Sequence, residues 1–274
     1  PQRQDIVLST KAAMRTGEAL TRSGLSRRHI LSSVDDSLRR LGTNWIDVYI
    51  AHRLDPHTPL EETLEALDQT VRSGKVRYLG YSNWPDWMVA KAVTLQRQNG
   101  WARFVTGQTY YSLVGRDVEY GTVPMYQDLG IGMMVWSPLA GGFLSGKYTR
   151  ENPDGNQGRL SKTMSFTTFD VEKGYAIVEV VKDIAARHHV SPANVAMAWL
   201  ATRPAVSTIL LGISRLDMMA ENLKAATVAL STEEIRALDE VSQIPAPYPD
   251  WFNMALADAP TRDALAPSAG QTLP

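Results

Sequence analysis

The stretch IDVYIAHRLDPHTPLEETLEALDQTVRSGKVRYLGYSN, residues 46–83, contains a complete strand–helix–strand unit and decides the fold class. It opens with the apolar run Ile46–Ile50, which is typical of a buried strand. Pro59 then precedes a helix that Gly74 ends. The helical spacing runs through Leu60, Leu64, Leu67 and Val71. A second apolar run, Val76–Gly80, follows at once, so the unit predicts two parallel strands joined by a helical crossover.

Further apolar runs predict strands at Ile6–Ser9, Phe104–Gly107, Gly132–Trp136 and Ser207–Leu211. The other segments with helical spacing are Ser26–Gly42, Pro85–Gln96, Lys173–His188, Pro192–Thr202, Leu216–Ala226 and a last helix from a Ser231–Glu234 capping box through Val241. Strands that alternate with helices indicate an α/β fold with a parallel sheet. A closed (β/α)8 barrel needs eight strands, and six are counted here. We expect the missing two at the front, where a strand begins almost immediately.

The composition excludes several classes of protein. Of the 274 residues, 44% are hydrophobic and 21% are charged, and the formal net charge of −1 argues against a nucleic-acid partner. The absence of cysteine excludes disulfides, thiolate metal sites and cysteine nucleophiles, and it fits a reducing compartment, so we expect a cytoplasmic protein. The uncharged stretch 129–146 is interrupted by proline and glycine, so we expect no membrane span. His188 and His189 cannot both face one metal from a helix, and we expect no metal site.

The segment MMVWSPLAGGFLSGKY, residues 133–148, combines a strand end, a glycine loop and a lysine. Trp136 offers a flat ring for stacking, and Lys147 offers a point charge suited to phosphate. Gly141 lies in the loop between them, which allows the backbone to bend closely around a ligand. The segment predicts a cradle for an aromatic cofactor that carries phosphate. The alternative is a buried strand with an ordinary loop and a solvated lysine.

Two predicted strands end in reactive side chains, Lys11 and His52. Taken alone, Lys11 is consistent with a charge at the rim of the sheet, and His52 is consistent with a hydrogen-bonded histidine that has no role in a site. Adjacent strands of a barrel would bring the two side chains together. A lysine ammonium beside an imidazole changes the acidity of a third group and orients a polar substrate oxygen.

At this point six blocks together resemble the aldo-keto reductase family, in the family's order and over nearly the whole chain. They are STK (9–11), IDVYIAHRLD (46–55), GKVRYLGYSN (74–83), Gln108 with YSL (111–113), WSPLAGG and SGKY (136–148), and GISR with EN (212–222). The similarity is greatest to the branch that includes bacterial carbonyl reductases and voltage-gated potassium channel β-subunits. The resemblance implies a TIM-type (β/α)8 barrel whose first two strands are missing from the sequence, with residues 1–274 as one domain and 245–274 as a tail over the barrel.

The resemblance also implies NADPH-dependent reduction of an aldehyde or ketone to the alcohol, in a reversible reaction. In the family a tyrosine gives the proton, a lysine lowers that tyrosine's pKa, an aspartate holds the lysine, and a histidine orients the carbonyl. Lys11 matches the lysine and His52 the histidine. The aspartate and tyrosine belong to the family's second strand and the following loop, so we expect the tyrosine upstream of Pro1. None of the tyrosines in this sequence is assigned to that role.

The resemblance carries the cofactor contacts over more fully. The matched positions are Ser82, Asn83 and Gln108 for the carboxamide, Trp136 for the nicotinamide ring, Ser137, Leu139, Gly141, Lys147 and Arg159 for the pyrophosphate, and Gly212, Ser214, Arg215, Glu221 and Asn222 for the adenosine end. Arg215 suits a 2′-phosphate and favours NADPH over NADH. Met218 stands where the branch usually has glutamine, which leaves NADH open as an alternative.

The substrate end is expected to involve Trp84, Tyr248 and Trp251, whose aromatic rings suit a hydrophobic carbonyl compound, although core packing is the alternative for these rings. The expected partner is therefore a small carbonyl or alcohol substrate, with neither nucleic acid nor a membrane. A homo-oligomer remains open. Two other functions remain open as well: a cofactor-binding regulatory subunit like the channel β-subunits, and a non-catalytic fragment.

Overall fold

The computed structural model describes residues 2–155, 160, 167–213, 215–256 and 258–265. The chain divides into two compact units, Pro1–Ser242 and Gln243–Pro274. The first unit holds the sheet, and the described part of the second holds two short helices. The predicted tail, 245–274, falls within the second unit, and its position over the barrel stays a prediction.

Within the described residues of the first unit, six parallel strands form one sheet, in the same order in space as along the chain. They are β1 (Ser9–Ala12), β2 (Ile46–Ala51), β3 (Val76–Ser82), β4 (Phe104–Tyr110), β5 (Gly132–Trp136) and β6 (Val206–Ile209). Each strand pairs in parallel with the next one along the chain, which requires a crossover between every two successive strands. The predicted α/β alternation with a parallel sheet is therefore confirmed.

Helices supply the crossovers and the packing layer. They are α1 (Arg27–Leu41), α2 (Leu60–Arg72), α3 (Asp86–Asn99), α4 (Thr122–Leu129), α5 (Val171–His188), α6 (Pro192–Ala201), α7 (Leu216–Leu223) and α8 (Thr232–Ser242), with α9 (Asp250–Ala255) and α10 (Ala259–Leu265) in the second unit. Side chains set several of the starts: Ser26 Oγ accepts from the His29 amide at 3.3 Å at the start of α1. The predicted capping box is confirmed at α8, where Ser231 and Glu234 bond each other's backbone amides at 3.2 and 3.0 Å.

The hydrophobic core lies between the outward face of the sheet and the helices. Alternate residues of the strands are fully buried there, including Tyr49, Leu79 and Val135. Because side chains alternate along a strand, the residues between them point to the opposite face, which carries Lys11 beside Ile50. The core thus fixes which side chains are left for the inner face of the sheet. No helix in the described ranges is both long and apolar enough to cross a membrane.

The predicted start of the first strand, at Ile6, is wrong. The strand begins at Ser9, and Ile6 and Val7 are 45% and 79% exposed. The Arg3 guanidinium fastens the segment before Ser9 to the start of β2. It donates to Asp47 Oδ2 at 2.7 Å and to the Trp45 carbonyl at 2.8 Å. The apolar character of Ile6 and Val7 is therefore no evidence of a strand here, because the hydrogen bonds of Arg3 restrain the backbone before Ser9.

Helix α4 was not predicted, since it is only two turns long and contains a proline near its start. Helix α7 is shorter than the predicted Leu216–Ala226, because the chain tightens into a 3₁₀ turn at Lys224–Thr227. Both differences lie at short elements, where helical spacing has few repeats to show itself.

Candidate active site

The carboxyl ends of the parallel strands meet at one edge of the sheet, and the predicted reactive residues lie along that edge. In the sheet register Lys11 pairs with Ile50, Ser82 with Gln108, and Tyr110 with Trp136. The site is thus assembled from five neighbouring strands. This is the edge at which parallel α/β proteins place ligands.

Lys11 and His52 are brought together as the sequence predicted. Lys11 is the last residue but one of β1, whereas the sequence predicts that the strand ends in Lys11. His52 directly follows β2. The His52 amide donates to the carbonyl of Ala12 at 3.0 Å, which fixes the backbone of the two strands against each other. Since residues two apart on a strand share a face, the register puts both side chains on the inner face of the sheet.

Burial and positive charge lower the pKa values of this pair. Burial lowers the pKa of the Lys11 ammonium below its ordinary value. The pKa of His52 is lowered first by burial and then by the positive charges of Lys11 and Arg53. His52 is therefore neutral near neutral pH, and a neutral imidazole keeps one N–H to donate and one nitrogen to accept.

Asn83 joins His52 to the ring predicted to stack on a cofactor. Asn83 Oδ1 accepts a hydrogen bond from Trp136 Nε1 at 3.2 Å. The Asn83 amide nitrogen donates to Ser82 Oγ at 2.8 Å and more weakly to the His52 carbonyl at 3.4 Å. Ser82 Oγ in turn donates to the Gln108 carbonyl at 2.7 Å. The predicted carboxamide-binding residues Ser82, Asn83 and Gln108 are therefore contiguous and connected to Trp136.

The glycine loop after β5 has the backbone that the sequence predicted. Gly141 and Gly142 have φ values of +68° and +95°, a region that side-chain-bearing residues rarely adopt. The Gly141 amide donates to Ser137 Oγ at 3.2 Å, which closes the loop. A Cβ at Gly142 would lie 3.4 Å from the Lys147 side chain, so the loop lies directly against this lysine.

A cleft of about 630 Å³ opens beside this loop, within the size range of small-molecule sites. Seven of the predicted cofactor residues line it: Trp136, Ser137, Leu139, Gly141, Lys147, Gly212 and Asn222. Met218 lines it as well, together with Pro138, Gly142, Ser145, Leu160, Thr167, Ala193, Met197, Leu210 and Leu211. The cleft therefore joins the predicted stacking ring, the predicted phosphate loop and part of the predicted adenosine end.

The cleft suits a long ligand that is flat at one end and anionic in the middle. Trp136 supplies an aromatic surface, and Lys147 is an exposed cation that enters none of the ion pairs in the described part of the chain. At Gly212 a Cβ would meet nothing within 4 Å, so the backbone is open toward a ligand. These features fit a dinucleotide.

The remaining adenosine-end residues are held by other side chains. Arg215 makes a two-pronged ion pair with Asp217, at 3.0 and 2.9 Å, and both side chains are about two-thirds exposed. Glu221 accepts from the buried Asn194 amide at 3.0 Å and pairs with Lys224 at 2.6 Å. Ser214 and Arg159 lie outside the described residues.

The three predicted substrate residues do not share one environment. Trp84 is 6% exposed and packs against Tyr81 and Phe104, with ring centroids 5.9 and 5.6 Å away, which favours the core-packing alternative for this ring. Tyr248 and Trp251 belong to the second unit, where their rings lie 6.2 Å apart and are 75% and 53% exposed. The role of these two residues toward a substrate stays a prediction.

Sequence reasoning missed two side chains that shape the site. Tyr110 packs against Trp136, with ring centroids 5.2 Å apart, and Asn194 holds Glu221. The position of Tyr110, two residues after Gln108 on a strand, was a usable signal for the inner face. No comparable signal marked Asn194, because its contact depends on how α6 packs against α7. Within the described ranges no cluster of three metal-ligand side chains occurs.

Comparison with known proteins identifies one protein family and several relatives of the chain. The model of the Aldo/keto reductase family matches residues 1–243. The chain is 38% identical over 229 residues to the versiconal hemiacetal acetate reductase of Aspergillus parasiticus, which covers 82% of this chain and 65% of that protein. It is 32% identical over 248 residues to the L-glyceraldehyde 3-phosphate reductase of Escherichia coli, covering 87% of this chain and 70% of the relative.

A third relative is named as a channel subunit and not as a reductase. The "Putative voltage-gated potassium channel subunit beta" of Schizosaccharomyces pombe is 34% identical over 248 residues, covering 87% of this chain and 72% of that protein. The chain thus spans roughly two thirds of the length of these curated relatives, from 65% to 72%.

Proposed function

The chain belongs to the aldo/keto reductase family, whose fold is a (β/α)8 barrel, and from this membership we propose that the protein reduces an aldehyde or ketone to the alcohol with NADPH, reversibly. The observation that carries the proposal is the cleft in which Trp136, Lys147 and Gly212 lie together. The first and the last of these residues are 76 positions apart in the sequence, and all three line one cavity at the carboxyl edge of the sheet.

The residues divide the binding of NADPH among them. Trp136 would support the nicotinamide ring, the loop at Ser137 and Gly141 together with Lys147 would hold the pyrophosphate, and Asn222 would lie toward the adenosine. Arg215 would bind the 2′-phosphate, which must then displace Asp217 from the guanidinium. When bound, NADPH supplies the hydride that reduces the carbonyl carbon.

Lys11 and His52 act on the carbonyl oxygen and on the proton donor. A neutral His52 can donate an N–H to the carbonyl oxygen and so orient the substrate without competing as an acid. The Lys11 ammonium would lower the pKa of the phenol that gives the proton. The family resemblance supplies that phenol from a tyrosine ahead of Pro1, and the proposal includes this residue.

The test is an assay of NADPH oxidation by the full-length protein over a panel of aldehydes and ketones. Turnover of at least one carbonyl compound, lost on Lys11→Met, supports the proposal. Absence of turnover with every compound, in a protein that binds NADPH, would contradict it.

A second candidate function is a cofactor-binding regulatory subunit. It is favoured by the similarity to a relative named as a channel subunit beta. A protein of this kind would bind NADPH in the same cleft, so binding cannot separate the two functions. Turnover separates them, because His52 and Lys11 serve only the reductase.

A further inference from the structure

Tyr110 lies beside Trp136 in the sheet and contacts its ring. The two residues are partners in the register of β4 and β5. Their ring centroids are 5.2 Å apart and the ring planes are inclined at 39°. This distance is within the range in which aromatic pairs attract each other. Trp136 lines the cleft, whereas Tyr110 is not among its lining residues, and the phenol contacts the cleft through the indole.

The phenol ring is itself held in one place. Its hydroxyl shares a hydrogen bond with Ser112 Oγ at 3.0 Å, and Ser112 has no exposed surface. Gly115 lies directly against the ring, since a Cβ there would be 2.4 Å from the Tyr110 ring carbon Cε1. Ser112 and Gly115 also exchange backbone hydrogen bonds at 3.0 and 3.2 Å. The loop after β4 is therefore shaped around this ring.

Trp136 is restrained from a second direction by Asn83. The indole Nε1 donates to Asn83 Oδ1 at 3.2 Å. This bond fixes the rotation of the indole within its plane, whereas contact with Tyr110 fixes its tilt. A ring held by both contacts has lost its freedom before any ligand arrives, which reduces the entropy that binding would otherwise remove.

We propose that Tyr110 is a positioning residue that holds the Trp136 indole at the tilt at which it stacks on the nicotinamide ring. This assignment rests on the proposed function, because the tilt matters only if the cleft holds the cofactor. It gives Tyr110 a role through Trp136 and no contact with the reacting atoms. The hydroxyl is secondary in this role, since the ring makes the contact.

Two ligands separate this role from a general structural one. NADPH contains the nicotinamide ring, and 2′-phosphoadenosine diphosphate ribose shares the rest of the molecule without it. The dissociation constants of both are measured on the full-length protein, for the wild type, Tyr110→Leu and Tyr110→Phe. Tyr110→Leu should weaken NADPH about 3- to 10-fold, which is the size of one aromatic pair, and leave the fragment unchanged. Tyr110→Phe keeps the ring and should bind both ligands as the wild type does.

Gly115→Ala provides a second route to the same effect. The added methyl group pushes against the Tyr110 ring without removing it, so the ring must tilt or shift. Gly115 has no left-handed φ, which makes alanine compatible with the backbone. The variant should weaken NADPH selectively, as Tyr110→Leu does, and should also change the near-ultraviolet circular dichroism of the tryptophan band.

The contrary results are distinct. Equal weakening of NADPH and the fragment in both variants would show that Tyr110 only supports the fold and would overturn the assignment. Unchanged NADPH binding in folded Tyr110→Leu and Gly115→Ala would overturn it as well, and would leave the proposed function intact. Failure of the wild type to bind NADPH would overturn the proposed function and this assignment with it.

Discussion

The two ends of the parallel sheet differ in which residue types adopt left-handed backbone conformations. At the amino ends, the chain enters β2 to β5 through the left-handed glycines Gly42, Gly74, Gly100 and Gly130, and a Cβ on any of them would meet nothing within 4 Å. At the carboxyl ends, the first residue after β1, β3 and β5 is left-handed without being glycine. These residues are Ala13, Asn83 and Ser137, with φ of 94°, 56° and 53°.

At the carboxyl ends the chain keeps side chains at positions where they cost backbone energy. A non-glycine residue in the left-handed region costs about 1 to 3 kcal/mol when the surroundings impose it. Asn83 and Ser137 both use their side chains, the first on Trp136 and the second on the Gly141 amide. Glycine would relieve the strain and remove these bonds. The amino ends require only a turn, and glycine supplies it, so stability is concentrated at one end and the candidate site at the other.

Removal of the half-buried Lys11 cation should give the largest effect and should be confined to activity. Lys11→Met keeps the length of the side chain and removes the charge at the carboxyl edge, so turnover should fall by about 100-fold or more. The free energy of unfolding should not fall, because burial already disfavours the charged form of Lys11. Lys91→Met is the matched control, since Lys91 is a half-exposed lysine on α3 that pairs with Glu61. Equal turnover of the two variants would contradict a role of Lys11 in the reaction at the carboxyl edge.

Arg215→Ala should weaken NADPH binding by about 10- to 100-fold, the value of charge-assisted hydrogen bonds to a phosphate. NADH binding should change little, because NADH lacks the 2′-phosphate. The measurement is a titration of both cofactors against the wild type and the variant. Asp217→Asn serves as the control: it frees the guanidinium from its ion pair and should strengthen NADPH alone. Equal losses for both cofactors on Arg215→Ala would refute the 2′-phosphate contact.

The pH dependence of stability should report the histidine at the carboxyl edge. The pKa of His52 is lowered from 6.5 in the folded protein, so the unfolded chain binds a proton more readily. The free energy of unfolding should therefore fall as the pH decreases below about 6.5. Buried His29, whose pKa is also lowered, acts in the same direction. Urea denaturation of wild type and His52→Gln at several pH values measures the slope, which should be smaller in the variant; an identical slope would exclude His52 as a source.

The smallest effects are expected at the amino ends, on stability alone. Gly100→Ala forces a Cβ into the left-handed region with φ of +64° and should lower the free energy of unfolding by about 1 kcal/mol. Ala205, before β6, is the exception at this end, with φ of +65°, and Ala205→Gly should raise stability by a similar amount, about 1 kcal/mol. Thermal denaturation gives both values. A change in turnover in either variant would show that the amino ends also influence the site.

The sequence allowed prediction of the parts that depend on local pattern. Alternating strands and helices, the glycine loop after Trp136 and the approach of Lys11 to His52 all follow from spacing and strand order. The contacts of Tyr110 and Asn194 could not be predicted with equal ease, since the first depends on the exact register of β4 against β5 and the second on the packing of α6 against α7. The start of β1 was misplaced because Arg3 hydrogen bonds override the apolar pattern at Ile6.

Whether the cleft at the carboxyl edge binds the cofactor can be measured by a fluorescence titration of the full-length protein with NADPH, in which Trp136→Leu is compared with the wild type. If the carboxyl edge holds the cofactor, NADPH quenches the tryptophan fluorescence of the wild type saturably, and most of that quenching is lost in the variant. Trp87→Leu, which removes a tryptophan that is 66% exposed on α3, should retain the quenching. Absence of saturable quenching in the wild type, or equal quenching in Trp136→Leu, would contradict the assignment of the cleft.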